Sequence, residues 1–327
     1  MKELRYNQAI SEALDEEMAR DPSVFIMGED IGEHWGGPFG QFHGLAEKYG
    51  TKRIRETPIS ETAILGGAIG AAATGLRPIA AMMFVDFLGV SGDELLNQLQ
   101  MRYMFGGKIK LPLTIIAVTG AGAAAAAQHS KSLYGWLMNI QSLKIVAPAT
   151  PYDAKGLLKT AIRDDNPVAF LTHKMLGGMK GQIPEEEYTI PLGQADTKRE
   201  GKDVTVVALA LMVHRALNAA KKLEEQGISI EVIDPRTVKP LDKETIIQSV
   251  KKTGRLVIMD EEPKTGSWAG EVAAIIAEEA FDYLDAPIKR VCAPDTPIPF
   301  SPVLEKFWMP SEEALIKAVL EIKKPKA

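Results

Sequence analysis

The sequence predicts an α/β chain of two domains, each a mostly parallel sheet with helices on both faces. Three observations predict it. Short apolar strand-like runs alternate with helix-like segments along nearly the whole chain, and strands separated by helices form parallel sheets covered on both sides. The rhythm breaks over about 175–201, where Gly177-Gly178, Pro184-Glu185-Glu186-Glu187 and Lys198-Arg199-Glu200-Gly201 are turn-rich and charged. The length of 327 residues makes about two domains at roughly 150 residues each. The boundaries are placed at 1–185 and 202–327, with a linker at 186–201.

The elements follow in order. Ala9, Ile10, Ala13, Leu14 and Met18 recur at helical spacing and predict a helix over 7–20. Ser23-Val24-Phe25-Ile26-Met27 is a short apolar strand, and Gly32 to Phe42 is a loop rich in glycine and aromatics. The first domain continues as helix 60–75, strand 78–84, helix 91–105, strand 112–118, helix 130–140, strand 143–147, helix 151–163 and strand 167–172. Val204-Thr205-Val206-Val207-Ala208 opens the second domain. Helix 212–225, strand 228–234, helix 242–252, strand 255–260, helix 268–281, strand 288–292 and helix 311–322 complete it. Lys323 to Ala327 reads as a frayed basic end.

Composition excludes several functions. Hydrophobic residues at 46% and charged residues at 25% are ordinary for a globular chain able to build its own core. Lys and Arg number 38 against 43 Asp and Glu, a net charge of -5, which argues against nucleic-acid binding through a basic face. Cys292 is the single cysteine, so no intrachain disulfide or multi-cysteine metal site can form. The opening residues lack an apolar signal core, and Glu12, Asp15, Glu16 and Glu17 do not suit a transit peptide. The longest apolar stretch, Ala63 to Gly75, is shorter than the ~18 residues a membrane span needs. The expectation is a soluble, cytoplasmic chain without membrane or nucleic-acid partners.

In parallel sheets, ligands sit outside the carboxyl ends of the strands, so the loops after strands are the candidates. Thr57-Pro58-Ile59-Ser60-Glu61 leads into the helix at 60–75. Ser60 is expected at the N-cap and Glu61 in the first turn, near the positive end of the helix dipole. An ordinary helix-start glutamate would look the same. The following helix, however, is apolar on every face and expected to be buried. Its interior Gly66, Gly67 and Gly70, each less favourable than alanine by roughly 1 kcal/mol, suggest close approach by a backbone or ligand. A poorly hydrated Glu61 would have a raised pKa suited to proton exchange.

Met82-Met83-Phe84-Val85-Asp86-Phe87 ends the strand at 78–84. Its rings would serve either as core or as a surface for a flat heterocycle. Gly120-Ala121-Gly122, the alanines 123–127 and Gln128-His129-Ser130 follow the strand at 112–118. His129 reads as a structural histidine or a site histidine. Glu29 and Asp30 follow the first strand and read as a solvated loop pair. The sequence has no P-loop, Gly-x-Ser-x-Gly elbow or His-Glu-x-x-His. Gly66, Gly67, Gly70 and Gly75 lie in a helix pattern rather than a strand-to-helix turn, which opposes a nicotinamide oxidoreductase.

Taken together, Thr57-Pro58-Ile59-Ser60-Glu61, Gly75-Leu76-Arg77-Pro78-Ile79, Phe84-Val85-Asp86-Phe87, Ala126-Ala127-Gln128-His129-Ser130 and Ala161-Ile162-Arg163-Asp164-Asp165-Asn166-Pro167 resemble the β subunits of thiamin-diphosphate-dependent 2-oxoacid dehydrogenases. Leu284-Asp285-Ala286-Pro287 and Thr296-Pro297-Ile298-Pro299-Phe300 extend the resemblance to nearly the whole chain. Met83-Phe84-Val85-Asp86-Phe87, Tyr103-Met104-Phe105-Gly106-Gly107-Lys108 and Tyr188-Thr189-Ile190-Pro191-Leu192-Gly193 are most similar to acetoin dehydrogenase β chains. His173-Lys174-Met175-Leu176-Gly177-Gly178 departs from the pattern, since the family more often places a tyrosine near Gly177.

The resemblance implies a transketolase-like pyrimidine-binding domain followed by a transketolase C-terminal-like domain for dimerisation and docking. It implies that Glu61 hydrogen-bonds the cofactor's aminopyrimidine and that Phe87 stacks on the ring, with Met83 and Ile59 nearby. It gives His129 a substrate-facing role as acid, base or hydrogen-bond donor. Ile162, Asp164 and Asn166 resemble a potassium loop, and the surface near Asp285 resembles a docking site for a lipoyl acyltransferase core.

Enzymes of this kind hold the diphosphate through magnesium at a Gly-Asp-Gly start, which this sequence lacks. The resemblance therefore implies a divided site, with magnesium and diphosphate on an α subunit and two α and two β chains in a heterotetramer. The expected activity is cleavage of acetoin with acetyl transfer to a lipoyl arm. The alternatives are oxidative decarboxylation of pyruvate or a branched-chain 2-oxoacid, and, from another class, a non-catalytic scaffold subunit.

Overall fold

The computed structural model describes residues 1–32 and 35–323, which divide into two units. The first comprises Met1–Thr119 and Leu137–Leu192. The second takes Gly120–Trp136 and the chain from Gly193 onward. The expected loop at Gly32 to Phe42 includes 33 and 34, which lie outside the described residues, as does the expected frayed end beyond Lys323.

In the first unit, parallel strands lie side by side in the order Lys144–Val146, Val168–His173, Thr114–Thr119, Arg77–Phe84, Val24–Gly28 and Ile54–Glu56. Thr114–Thr119 is buried at every position. Strands covered on both faces are near-continuous apolar runs, which is why the alternation was readable. Because the strands run parallel, Gly28, Glu56, Phe84, Thr119 and His173 all reach one carboxyl edge.

Helix Tyr6–Arg20 buries Tyr6, Ala9, Ile10, Ala13, Leu14 and Met18 and packs on helix Pro151–Arg163. The latter starts with a Thr150 cap that accepts the Asp153 N–H and with proline in its first turn. Charges are paired between these helices. Lys155 and Lys159, each 1% exposed, meet Glu16 at 2.6 and 2.7 Å, and Glu17 meets Arg163 at 2.6 Å.

Some elements differ from expectation. The helix expected at 91–105 is split into Gly92–Leu96, a 3-10 turn at Gln98–Gln100 and Met101–Met104. Only Leu95 and Leu99 bury a side chain there, too little for one continuous apolar face. The helix expected at 130–140 is only Tyr134–Met138. Strand Lys2–Arg5 pairs antiparallel with Lys180–Ile183. Both are short and polar, so no hydrophobic alternation announces them.

The second unit holds a five-stranded sheet in the order Lys289–Ala293, Leu256–Pro263, Val204–Ala208, Ile230–Asp234 and Asp196–Arg199. The last strand is antiparallel to its neighbour and lies inside the stretch expected as a linker. It is a short charged edge strand, Asp-Thr-Lys-Arg, a composition that guards an edge and hides it from pattern reading. Helices Leu211–Glu224, Lys243–Thr253, Trp268–Glu279, Pro302–Trp308 and Glu312–Lys323 complete the unit. Strand Leu256–Pro263 runs past its expected end at 260 and includes Glu261 and Glu262. Among the described residues, no helix is long and apolar enough to cross a membrane.

Candidate active site

At the carboxyl edge of the first unit's sheet, Thr57 donates its N–H to the Gly28 carbonyl at 2.9 Å. This ties the entry of helix Glu61–Ala73 to the end of strand Val24–Gly28. A Cβ at Gly28 would lie 2.4 Å from the Ala81 oxygen, so only glycine lets these strands meet so closely.

Glu61 stands half-buried in the first turn, with Ser60 at the N-cap position. The Ser60 side chain makes no capping hydrogen bond. The expected burial of the helix on every face is corrected. Ile64, Leu65, Ala68, Ile69 and Ala72 are buried, while Thr62, Ala63, Gly67 and Gly70 are exposed. Gly70 has no atom within 4 Å of a built Cβ, so the close approach expected at the glycines is not made there within this chain.

Glu29 is the residue that sequence reasoning undervalued. It follows strand Val24–Gly28 immediately and is 9% exposed, and its Oε2 has no hydrogen-bond partner. Burial raises its pKa above the usual carboxylate range, and the neighbouring charges of Glu61 and Asp30 push it further the same way. Glu29 and Glu61 therefore share one electrostatic environment. The available signal was its position just past a strand's carboxyl end.

An apolar wall occupies the same edge. The register between Arg77–Phe84 and Thr114–Thr119 shifts between Met82 and Phe84, leaving Met83 as the extra residue of a bulge, a feature that re-aims side chains beside functional sites. The 3-10 turn Val85–Gly89 then carries Phe87. Phe84 lies edge-on between Phe39, at 5.9 Å, and Phe87, at 5.8 Å. Lys174 Nζ lies 5.2 Å from the Phe84 ring centre. Met83 and Phe87 are half-buried, whereas Ile59 is 81% exposed. These residues fit a pyrimidine half-site, where a flat heteroaromatic ring needs apolar walls and a carboxyl group at its nitrogens.

His129 lies in the second unit, half-buried on the loop that begins at Gly120. That loop is held through its main chain. Ala121 donates to Glu261, Gly122 and Ala124 donate to Glu305, and Gly135 donates to Glu262. The extension of strand Leu256–Pro263 supplies two of these three acids.

The positions that the resemblance gives to potassium close on themselves. Arg77 donates to the carbonyl oxygens of Ile162 and Asp164 at 3.0 and 3.1 Å and to the Asp165 carboxylate at 2.6 Å. The Asp164 carboxylate takes both the backbone and side-chain N–H of Asn166, and Asn166 Oδ1 accepts from Arg102. Guanidinium groups thus face three of these oxygens, the Ile162 and Asp164 carbonyls and Asn166 Oδ1. Among the described residues, no three of His, Cys, Asp and Glu gather as metal ligands.

Comparison with known proteins bears on the family and the fold. The family described as "Transketolase, pyrimidine binding domain" matches residues 2–179, and "Transketolase, C-terminal domain" matches 193–315. The chain is 49% identical over 328 residues to the acetoin:2,6-dichlorophenolindophenol oxidoreductase subunit beta of Bacillus subtilis (strain 168), covering 97% of this chain and 96% of the relative. It is 50% identical to the subunit of the same description from Cupriavidus necator, with the same coverage. It is 45% identical to the 2-oxoisovalerate dehydrogenase subunit beta of Bacillus subtilis (strain 168), covering 98% and 99%. A solved structure described as a split gene transketolase, inactive beta4 tetramer, superposes with a TM-score of 0.80 at 25% identity, covering 98% of each chain. Two transketolase domains in series, with relatives near half identity from end to end, place the chain in the family of β subunits of thiamin-diphosphate-dependent 2-oxoacid and acetoin dehydrogenases.

Proposed function

We propose that this chain is the β subunit of an acetoin dehydrogenase, supplying the pyrimidine half of a thiamin diphosphate site completed by an α subunit. One observation carries the reading. Glu61 shares its surroundings with Glu29, whose buried Oε2 has no hydrogen-bond partner, at the sheet edge that also carries Met83 and Phe87. Relatives near 50% identity that act on acetoin support the substrate.

Thiamin diphosphate, when bound, supplies a carbon nucleophile for a carbonyl group. Glu61 would hydrogen-bond a pyrimidine nitrogen and hand it a proton, with the Glu29 carboxyl, raised by burial and by the Glu61 charge, beside it. Met83 and Phe87 would bound the ring and exclude water. His129 would face the substrate as acid, base or hydrogen-bond donor. The α subunit would hold magnesium and diphosphate, in a tetramer of two α and two β chains. Residues 1–185 would form the pyrimidine-binding domain and 202–327 the dimerisation and docking domain. Near Asp285, which is 63% exposed in its side chain, Phe281 and Tyr283 are also exposed. These groups support docking of a lipoyl acyltransferase core there. The 45% identity to a 2-oxoisovalerate dehydrogenase subunit favours 2-oxoacid decarboxylation as the second reading.

The test is calorimetry of thiamin diphosphate with magnesium, on this chain alone and with its co-expressed α partner. Binding only with the partner is expected, and tight binding by this chain alone would defeat the divided site. Glu61→Gln should lower acetoin turnover by about 10²–10⁴-fold while the α–β assembly stays intact. Carbon dioxide release from 2-oxoacids at a rate exceeding acetoin cleavage would select the second reading.

A further inference from the structure

We propose that Glu305 is a positioning residue for His129, fixing the backbone shape of the loop that carries the histidine. The inference rests on the substrate-facing reading of His129. Residues 120–133 contain no helix or strand. Five of them have positive φ: Gly120, Gly122, Ala124 at 52°, Ala126 at 58° and Leu133 at 56°. A Cβ is disfavoured in that region, so the last three persist only where surrounding contacts impose the conformation.

Side-chain packing is thin on one side of this loop. A cavity of about 390 Å³ is lined there by Ala127, Ser130, Lys131, Leu133, Pro297 and Trp308, among others. Hydrogen bonds to the loop's amides supply the constraint instead. The two oxygens of Glu305 divide between two of them, Oε1 accepting the Gly122 N–H at 2.9 Å and Oε2 the Ala124 N–H at 2.8 Å. Glu305 is 3% exposed, on helix Pro302–Trp308, more than 180 residues along the chain. A leucine would pack such a position without desolvating a charge. A buried carboxylate is retained at a cost offset here by main-chain donors. Those donors bracket the stretch that turns into the left-handed Ala124. Loss of the acceptor frees both amides and releases the loop five residues before His129.

The experiment uses the full chain assembled with its α partner and loaded with thiamin diphosphate and magnesium. Glu305→Gln keeps the size but offers one acceptor, since its other terminal atom donates. Expected are a rise of about tenfold or more in hydrogen exchange at whichever of Gly122 and Ala124 loses its acceptor, and a fall in kcat of roughly ten- to hundredfold with KM within about twofold. In a His129→Ala background the same substitution should lower kcat by no more than about twofold, because Glu305 acts through the histidine. Unchanged exchange, or an equal fall in both backgrounds, overturns the proposal. Should Glu305→Gln fail to assemble, Ala124→Val strains the same backbone with the carboxylate intact and should produce both changes. Unchanged turnover in that variant also overturns it. Full turnover in His129→Ala alone defeats the reading of His129 and this proposal with it. Lost turnover there, with Glu305→Gln unaffected, defeats this proposal alone.

Discussion

Asp260 offers the sharpest test of the electrostatics beneath the His129 loop. It lies 1% exposed on strand Leu256–Pro263 and accepts the N–H groups of Glu262 at 3.0 Å and Ala269 at 3.4 Å. Burial pushes its pKa up to about 7, against the opposing effect of those hydrogen bonds. Glu262 is raised as well, by its own burial and by the Asp260 charge. The unfolded chain releases the Asp260 proton near pH 4, so between there and pH 7 the folded chain holds a proton that the unfolded chain lacks. Stability from this group is therefore complete below that window and falls as pH rises through it. From pH 5 to pH 8 the chain crosses about two pKa units before the group is ionised, worth about 2.7 kcal/mol. Asp260→Asn cannot ionise. It loses one acceptor, a penalty of about 1 kcal/mol that does not depend on pH. Urea unfolding of both proteins at pH 5, 6, 7 and 8, followed by tryptophan fluorescence, should show the variant gaining about 2–3 kcal/mol on the wild type across the series. Parallel profiles would mean that Asp260 stays ionised throughout, and the argument from burial would fail.

Three further expectations concern stability. Gly156 sits in helix Pro151–Arg163, where alanine would ordinarily gain about 1 kcal/mol, but its Cβ would lie 2.7 Å from Ile190 Cγ1 and 2.8 Å from Tyr188 Cε2. Tyr188 stacks on Tyr152 at 4.7 Å and Ile190 is hydrogen-bonded on both sides, so overpacking of about 1–3 kcal/mol should win. Calorimetry should show a lower Tm for Gly156→Ala, and a rise would refute this. Lys155→Met removes the cation that Glu12 and Glu16 share, leaving them paired with Lys2 and Lys159, and should lower unfolding stability by about 1–2 kcal/mol. Adding Glu12→Gln should recover part of that loss, and strict additivity would show that the charges do not interact. Gly28→Ala forces apart the strands that meet at Ala81. It should destabilise the chain by about 2 kcal/mol and weaken thiamin diphosphate binding in the α–β assembly. An unchanged Tm would show that the edge yields freely.

The fold was legible where burial on both faces leaves an unbroken apolar run. Thr114–Thr119 and Val204–Ala208 are buried at every position, and their sequences announce it. Lys2–Arg5, Lys180–Ile183 and Asp196–Arg199 are held by main-chain pairing at sheet edges, to which any polar side chain is indifferent. Nothing local in Gly120–Trp136 says that it belongs with the second unit. Its partners Glu261, Glu262 and Glu305 stand more than 120 residues away.

The same division runs through the site. Glu61 and Phe87 could be singled out because parallel strands aim the loops after them at one edge, whatever the loops contain. Glu29 has that position too, but between Gly28 and Asp30 it reads as a wet turn. It is dry because Phe42, Met82 and Ile116 come in from separate segments to line the same small cavity. The bulge at Met83 is a mismatch between two strands, so neither sequence contains it. Glu305 is the limiting case. In Pro302-Val303-Leu304-Glu305-Lys306 it looks like any glutamate on a helix surface. Its burial is defined by amides on a distant loop, and backbone amides are present whatever the side chains are. A residue that recognises main chain leaves no complementary letter elsewhere in the sequence, so only the folded chain can reveal it.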